Sequence, residues 1–329
     1  MKNITIIGFG SWGIALACLL DKNGHKITAW DNSAEYVNEI TETRKNSYLP
    51  DILIPKSIKI TNDPLDAAAS ADIYVLALPS KALDLVQSKF AQYFSSGNPT
   101  IVSVSKGLEE TRKIRICQYL KEIAPNCAVA ALTGPSHAEE VTKNIPTAVV
   151  VASENEKTAQ EVQAIFTGDN FRVYTSTDLI GAEIGGALKN VIALAAGCSD
   201  GLGFGDNTKA ALITRGIAEI TRLGVAMGAQ ERTFAGLSGI GDLIVTCTSR
   251  HSRNWRAGYL LANGKNLDEM LTEIGMVVEG VTTAKTAQQL AENHNVNMPI
   301  VEEINKIIFN NKPPKDAVAD LMLRERTTE

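Results

Sequence analysis

Gly8-Phe9-Gly10-Ser11-Trp12-Gly13 stands between a β-branched run, Ile4-Thr5-Ile6-Ile7, and an apolar run from Ile14 to Leu20. Glycines at GxGxxG spacing, entered from a strand and left through a helix, leave few folds open. Gly8 would make the tight turn, Gly10 would let the backbone approach a pyrophosphate, and Gly13 would let helix pack on strand. The N–H groups at the helix start would then hold the pyrophosphate. An ordinary glycine-rich turn is the plainer alternative.

The chain that follows supports the first reading. His25 to Trp30 reads as the next strand, with Asp31 at its end. An acidic residue about 20 positions after the glycines can accept a hydrogen bond from an adenosine ribose hydroxyl. The other reading is that Asp31 or Ser33 caps the next helix. Strand-like runs continue at Ser57–Ile60, Asp72–Leu78, Thr100–Val104, Ala128–Leu132, Thr147–Val151 and Phe171–Tyr174, with helical runs between the earlier ones. This alternation predicts an α/β, Rossmann-type, doubly wound parallel sheet. Ligands of such sheets bind beyond the carboxyl ends of the strands. That places Ser105-Lys106-Gly107 and Gly134-Pro135-Ser136-His137-Ala138 where ligands are met, and makes Lys106 a candidate contact.

With 329 residues, the chain exceeds one ordinary core. Strand signals stop near Asp178, and Ala/Gly/Leu-rich helices take over. The predicted domains are 1–178, dinucleotide-binding, and 179–329, all-helical. The second opens on a helix over Gly181 to Gly197 that is apolar almost all round, so it should be buried. Lys189 and Asn190 interrupt it, and its unbroken apolar run is short of the roughly 20 residues that span a bilayer. Burial would disfavour the charged form of Lys189 and suit it to proton transfer near neutral pH. The alternative is a lysine that reaches out to solvent. Further on, Arg215 and Glu219 lie one helical turn apart, as an ion pair would.

Gly236 to Asn254 is the other informative stretch. Glycines lead into a short apolar helix starting at Asp242. Asp242 and Thr246, four residues apart, share a face. Ser252-Arg253-Asn254 is rich in donors, and an arginine fork matches phosphate oxygens. A helix cap for Asp242 and a surface charge for Arg253 are the plainer readings. Gly275 to Gly280 carries no signal of its own. The net charge of −5, with no long basic run, argues against nucleic acid or an anionic membrane as main partner. The five cysteines are scattered, with no CxxC pair or Cys/His cluster, so neither disulfides nor a metal site is expected. A strand-like run directly after Met1-Lys2-Asn3 leaves no signal peptide, and a cytoplasmic protein is expected.

Taken together, the motifs resemble the bacterial NAD(P)-dependent glycerol-3-phosphate dehydrogenases over nearly the whole chain. The marks are Gly8-x-Gly10-Ser11-Trp12-Gly13, Lys106-Gly-Leu, Gly134-Pro-Ser136, Phe171-Arg-Val-Tyr174, Gly185-Gly-Ala-Leu-Lys189-Asn190, Leu212-Ile-Thr-Arg-Gly216, Gly241-Asp242-Leu and Ser252-Arg253-Asn254. The resemblance implies a Rossmann domain, an all-helical domain and reduction of dihydroxyacetone phosphate to sn-glycerol 3-phosphate, a phospholipid precursor. It implies Lys189 as proton donor or acceptor, and Lys106 against both substrate and nicotinamide. It assigns Gly134, Ser136, Asp242, Ser252, Arg253 and Asn254 to substrate. To the cofactor it assigns Ala138, Ser11, Trp12, Asn32, Val277, Glu279 and Arg253. Thr246 and Asn190 resemble supporting positions of the active site.

Two departures stand out. Phe9 occupies a place where a small residue is common, and its side chain can point away from the phosphates. Asp31-Asn32 stands where many relatives carry a basic or neutral pair, which bears on cofactor choice. NAD or NADP is implied, with NADH preferred because a carboxylate would repel a 2′-phosphate. No metal is called for, since lysines would polarise the carbonyl. A homodimer is compatible with the reading. Two alternatives remain: a dehydrogenase of the same build acting on a β-hydroxyacid, and a nicotinamide-binding regulator without turnover.

Overall fold

The computed structural model describes residues 1–95 and 97–325. It divides into two compact units, Met1–Glu109 with Ile114–Leu179, and Glu110–Lys113 with the chain from Ile180 onward.

The first unit is built on strands β1 (Asn3–Ile7), β2 (Lys26–Trp30), β3 (Lys59–Thr61), β4 (Ile73–Leu76), β5 (Thr100–Ser103), β6 (Leu108–Glu109), β7 (Ile114–Arg115), β8 (Ala128–Thr133), β9 (Thr147–Ala152) and β10 (Phe171–Ser176). β6 and β7 form a small hairpin of their own. The other eight make one sheet in the order β10-β9-β8-β5-β4-β1-β2-β3. Helices α1 (Ser11–Lys22), α2 (Ala34–Thr43), α3 (Pro64–Ala68), α4 (Leu83–Phe94), α5 (Ile116–Ile123), α6 (Ala138–Thr142) and α7 (Glu156–Phe166) connect them. Ile4, Ile6, Val75 and Val102 of the central strands are buried with Ile14 and Leu16 of α1, as strands covered on both faces require.

The predicted sheet is thus present, with one correction. β9 runs antiparallel to β8, pairing Ala131 with Ala152 and Thr133 with Val150, and β10 runs parallel to β9. The reason lies in α6. Its five residues rise about 7 Å, against about 20 Å for a six-residue strand. The chain does not return along the sheet and re-enters from the end it left. Strand order reverses between β1 and β4, and that switch point is where open α/β sheets bind ligands. The glycine turn after β1 lies there.

The second unit is helical: α8 (Leu179–Gly201), α9 (Asp206–Ala226), α10 (Glu231–Phe234), α11 (Asp242–Thr248), α12 (Arg253–Ala262), α13 (Leu267–Ile274), α14 (Glu279–Asn293), α15 (Pro299–Asn310) and α16 (Pro314–Met322). By length and hydropathy α8 could cross a membrane, but 89% of its apolar window is buried within the fold. α9, α12 and α14 pack directly on it, with Gly216 against Ile192 and Gly258 and Gly280 against Leu194. Small residues set how closely they come. A Cβ on Gly185 would lie 2.4 Å from the Ser238 carbonyl oxygen, and one on Gly197 would lie 1.9 Å from that of Trp255. These contacts bring the turn before α11 and the start of α12 against the α8 backbone.

α13 shows how the local sequence ends a helix. Asn266 and Glu269 form a reciprocal cap at its start, and Gly275 takes a left-handed conformation (φ 65°) at its end. The chain is thereby turned into the segment that leads to α14.

Candidate functional site

In the first unit Gly8 and Gly13 have the geometry their spacing predicts for a tight turn and a close helix contact. Gly8 has φ +98°, and a Cβ there would lie 2.8 Å from the Ala77 carbonyl oxygen, just beyond β4. A Cβ on Gly10 would meet nothing within 4 Å, so the backbone is open at the start of α1. A Cβ on Gly13 would lie 2.1 Å from the Gly8 carbonyl oxygen, so only glycine lets α1 sit on the turn. No side chain caps α1, which leaves its first N–H groups to other acceptors. Ser11 and Trp12 form its first turn, and the Trp12 indole N–H is buried with no acceptor among the described residues. Phe9 does turn away from the open side, being fully buried in the core.

Asp31 follows β2. Its carboxylate accepts from the Phe9 N–H at 3.1 Å and the Ser33 N–H at 3.1 Å. Ser33 is the residue that caps α2, its hydroxyl accepting from the Tyr36 N–H. Asp31 therefore braces the glycine turn and helps order the start of α2. Asn32 beside it is exposed.

A second cluster sits at the ends of β5 and β8. The Lys106 ammonium donates to the Gly134 carbonyl at 2.7 Å and to the Ser136 hydroxyl at 3.1 Å. Ser136 in turn donates to the same carbonyl at 2.8 Å. Gly134 has φ +131°, with only 3.0 Å between an added Cβ and Val149 Cα. Ala138 is the first residue of α6 and is buried.

In the second unit Lys189 is 5% exposed. Its ammonium pairs with the Asp242 carboxylate and donates to the Thr246 hydroxyl at 2.9 Å. The Thr246 hydroxyl donates to the Asp242 carbonyl at 2.6 Å. Lys189 is thus buried as its helix predicts and does not reach out to solvent. Its charge is supported in a way the sequence did not show, because a carboxylate in contact favours the ammonium and opposes the effect of burial. The cap at the start of α11 is Gly241, not Asp242. Gly241 closes a wide turn, its N–H reaching the Gly236 carbonyl five residues back at 3.1 Å, and this turn delivers Asp242 to α8. Burial pushes the nearby Cys247 thiol up to about 12, with the Lys189 charge acting in the opposite direction.

The donor-rich segment is the N-terminus of α12. Ser252 caps the helix, accepting from the Trp255 N–H at 3.2 Å. Arg253 and Asn254 are its first two residues. Arg253 is half-buried and donates to the Val277 carbonyl at 3.0 Å. Asn254 is buried and donates to the Asn190 side-chain oxygen at 2.9 Å. Glu279 is the first residue of α14. The structure therefore gathers Lys189 with Asp242 and Thr246, Asn190 with Asn254, and Arg253 with Val277.

The sequence reading missed two features. Gly280 donates its N–H to the Asn254 side-chain oxygen at 2.8 Å; its only signal is a glycine early in a helix. Glu219 accepts from the N–H groups of Ile300 (2.9 Å) and Val301 (3.4 Å), capping α15, a task that a spacing of one turn from Arg215 does not convey. Burial raises the Glu219 carboxyl to about 7, the two backbone N–H groups pulling the other way. Among the described residues, no group of three or more His, Cys, Asp or Glu side chains is placed to hold a metal ion.

Comparison with known proteins gives one answer. Family models described as NAD-dependent glycerol-3-phosphate dehydrogenase N-terminus and C-terminus match residues 3–159 and 178–319. A glycerol-3-phosphate dehydrogenase [NAD(P)+] of Fusobacterium nucleatum is 54% identical, over 100% of this chain and 99% of its own length. One from Bacillus subtilis is 49% identical over 100% and 96%. The crystal structure of glycerol-3-phosphate dehydrogenase from Coxiella burnetii superposes with a TM-score of 0.95 at 34% identity, covering 98% of this chain and 99% of that one.

Proposed function

The chain belongs to the NAD-dependent glycerol-3-phosphate dehydrogenase family, and from that premise we propose that it interconverts dihydroxyacetone phosphate and sn-glycerol 3-phosphate with NAD(P)(H). The observation that carries the reading is the Lys189–Asp242–Thr246 cluster in the unit that also holds the Arg253–Asn254 helix start. Together they offer an acid for a ketone oxygen and donors for a phosphate.

The first unit's residues suit a dinucleotide. Gly8, Gly10 and Gly13 shape an open turn, the α1 start offers N–H groups, and the buried Trp12 N–H has no acceptor among the described residues. Ser11, Asp31 and Asn32 border the same turn. When bound, the nicotinamide supplies the hydride for the ketone carbon. Negative charge that develops on the ketone oxygen would be met by the Lys189 ammonium, which gives up its proton there. Asp242 and Thr246 hold the ammonium in place and in its protonated state. Arg253 and Asn254, at the N-terminus of α12, would bind the phosphate, helped by the helix dipole. Lys106, with Gly134 and Ser136, stands at strand carboxyl ends, where open sheets take their ligands. Ala138, Val277 and Glu279 are proposed cofactor contacts.

We further propose NADH as the preferred cofactor, because Asp31 is fixed by two backbone N–H groups at the end of β2. All five cysteines are free thiols, which accords with a reducing cytoplasm. The product would serve glycerophospholipid synthesis. The test is direct: the protein is mixed with NADH, and absorbance of the reduced nicotinamide is followed on adding dihydroxyacetone phosphate. A fall that needs the phosphorylated ketone is expected. No fall, or turnover only of a carboxylate such as a β-hydroxyacid, would overturn the reading.

A further inference from the structure

We infer that Gly280 is a positioning residue for the substrate site, its backbone N–H fixing which way the Asn254 amide points and, through it, the Asn190 amide. The inference rests on the reading that the start of α12 serves the substrate.

A backbone N–H only donates, so the Asn254 atom facing Gly280 at 2.8 Å is the oxygen. Its nitrogen is then the atom that meets Asn190 at 2.9 Å, and Asn190 must offer its own oxygen there. Three amides on α14, α12 and α8 are thereby set in one direction from a single unambiguous donor. Asn254 and Asn190 are both buried, so water does not compete for these bonds. The direction matters because a phosphate accepts hydrogen bonds and donates none at its ionised oxygens. A flipped Asn254 amide would turn a carbonyl where the site needs an N–H. Asn190 directly follows Lys189, so the same chain of bonds ties the phosphate-facing helix to the helix that carries the ammonium.

Position 280 also has no room for a side chain. A Cβ there would lie 2.7 Å from the Asn190 carbonyl oxygen, 2.8 Å from Leu194 Cδ1 and 2.9 Å from the Asn254 side-chain oxygen. The leucine tip can move. The Asn190 carbonyl belongs to the core helix and cannot, so any substitution must push α14 away and stretch the bond to Asn254. A second bond beside it, from Arg253 to the Val277 carbonyl at 3.0 Å, secures the same segment to α12.

The experiment is a double-mutant cycle on the full-length protein with NADH and dihydroxyacetone phosphate. Gly280→Ala should raise KM for dihydroxyacetone phosphate about tenfold and change kcat by less than about threefold. In an Asn254→Ala background the same substitution should raise KM by less than about threefold, because the group through which Gly280 acts is gone and only the contact with the Asn190 carbonyl remains. Multiplying effects, or a loss confined to kcat, would overturn the proposal. If Gly280→Ala does not fold, the Asn254→Ala protein decides the matter by NMR. The Gly280 amide proton should then shift and exchange faster with solvent than in the wild type, and an unchanged amide would refute the assignment. The NMR measurement needs no turnover, so it stands even if dihydroxyacetone phosphate proves not to be the substrate.

Discussion

Lys189 in the middle of α8 and Asp242 at the start of α11 form an ion pair with side chains only 6% and 1% exposed. A pair this deep contributes little net stability on its own, because both charges leave water. Its value lies in holding an ammonium, rather than a neutral amine, inside an apolar helix.

Breaking that pair from one side should be costly. Asp242→Ala leaves a buried ammonium without its counter-charge, and a loss of about 3–5 kcal/mol is expected. Replacing both charges, as Lys189→Met with Asp242→Ala, should restore much of the thermal unfolding midpoint yet none of the turnover. A single variant as stable as the wild type would show that the pair is not buried as described.

Arg253 should distinguish phosphorylated from unphosphorylated substrate. Arg253→Ala is expected to raise KM for dihydroxyacetone phosphate steeply and to lower kcat as well, because the phosphate also aligns the ketone. Turnover of unphosphorylated dihydroxyacetone should be affected far less. Equal losses on both, in steady-state kinetics, would remove Arg253 from the phosphate site.

Asp31 should govern cofactor choice. A carboxylate near a 2′-phosphate repels it by about 1–2 kcal/mol after screening, which corresponds to about tenfold in favour of NADH. Asp31→Asn removes the charge while keeping the shape and one acceptor oxygen for the glycine turn. The ratio of kcat/KM values should move toward NADPH. An unchanged ratio would confine Asp31 to bracing Phe9 and Ser33.

Glu219 gives stability a pH dependence of definite sign. Burial raises its carboxyl from an ordinary value of 4.5 to about 7. Between those values the folded state binds the proton that the unfolded state has released, so stability falls as pH rises through the window. The full span corresponds to about 3 kcal/mol. Glu219→Gln keeps an acceptor for the Ile300 N–H and removes the titration. Urea unfolding at pH 5 and pH 8 should show a smaller loss for the variant than for the wild type; parallel losses would mean that Glu219 does not titrate there.

What the sequence disclosed was what short spacing can carry. The glycine turn was legible because Gly8, Gly10 and Gly13 each act within a few residues of one another. The burial of Lys189 was legible because Ile184, Leu188, Val191 and Ile192 surround it on its own helix. Its partner was less so. Asp242 lies 53 residues away, and nothing in its heptapeptide helix separates a cap from a counter-ion. The reversed direction of β9 was hidden because an apolar run such as Thr147–Val151 reads the same parallel or antiparallel. Gly280 was hidden for a different reason: its contribution is a backbone N–H and the absence of a Cβ, neither of which leaves a pattern.

The most direct test of the account is the turnover of Lys189→Ala at saturating NADH and dihydroxyacetone phosphate, with cofactor binding measured alongside. A positioned acid contributes roughly 100-fold to 10,000-fold, so kcat should fall by that much while NADH binding stays close to that of the wild type. A variant that binds NADH and retains near-wild-type kcat would contradict the assignment of Lys189 as the proton donor.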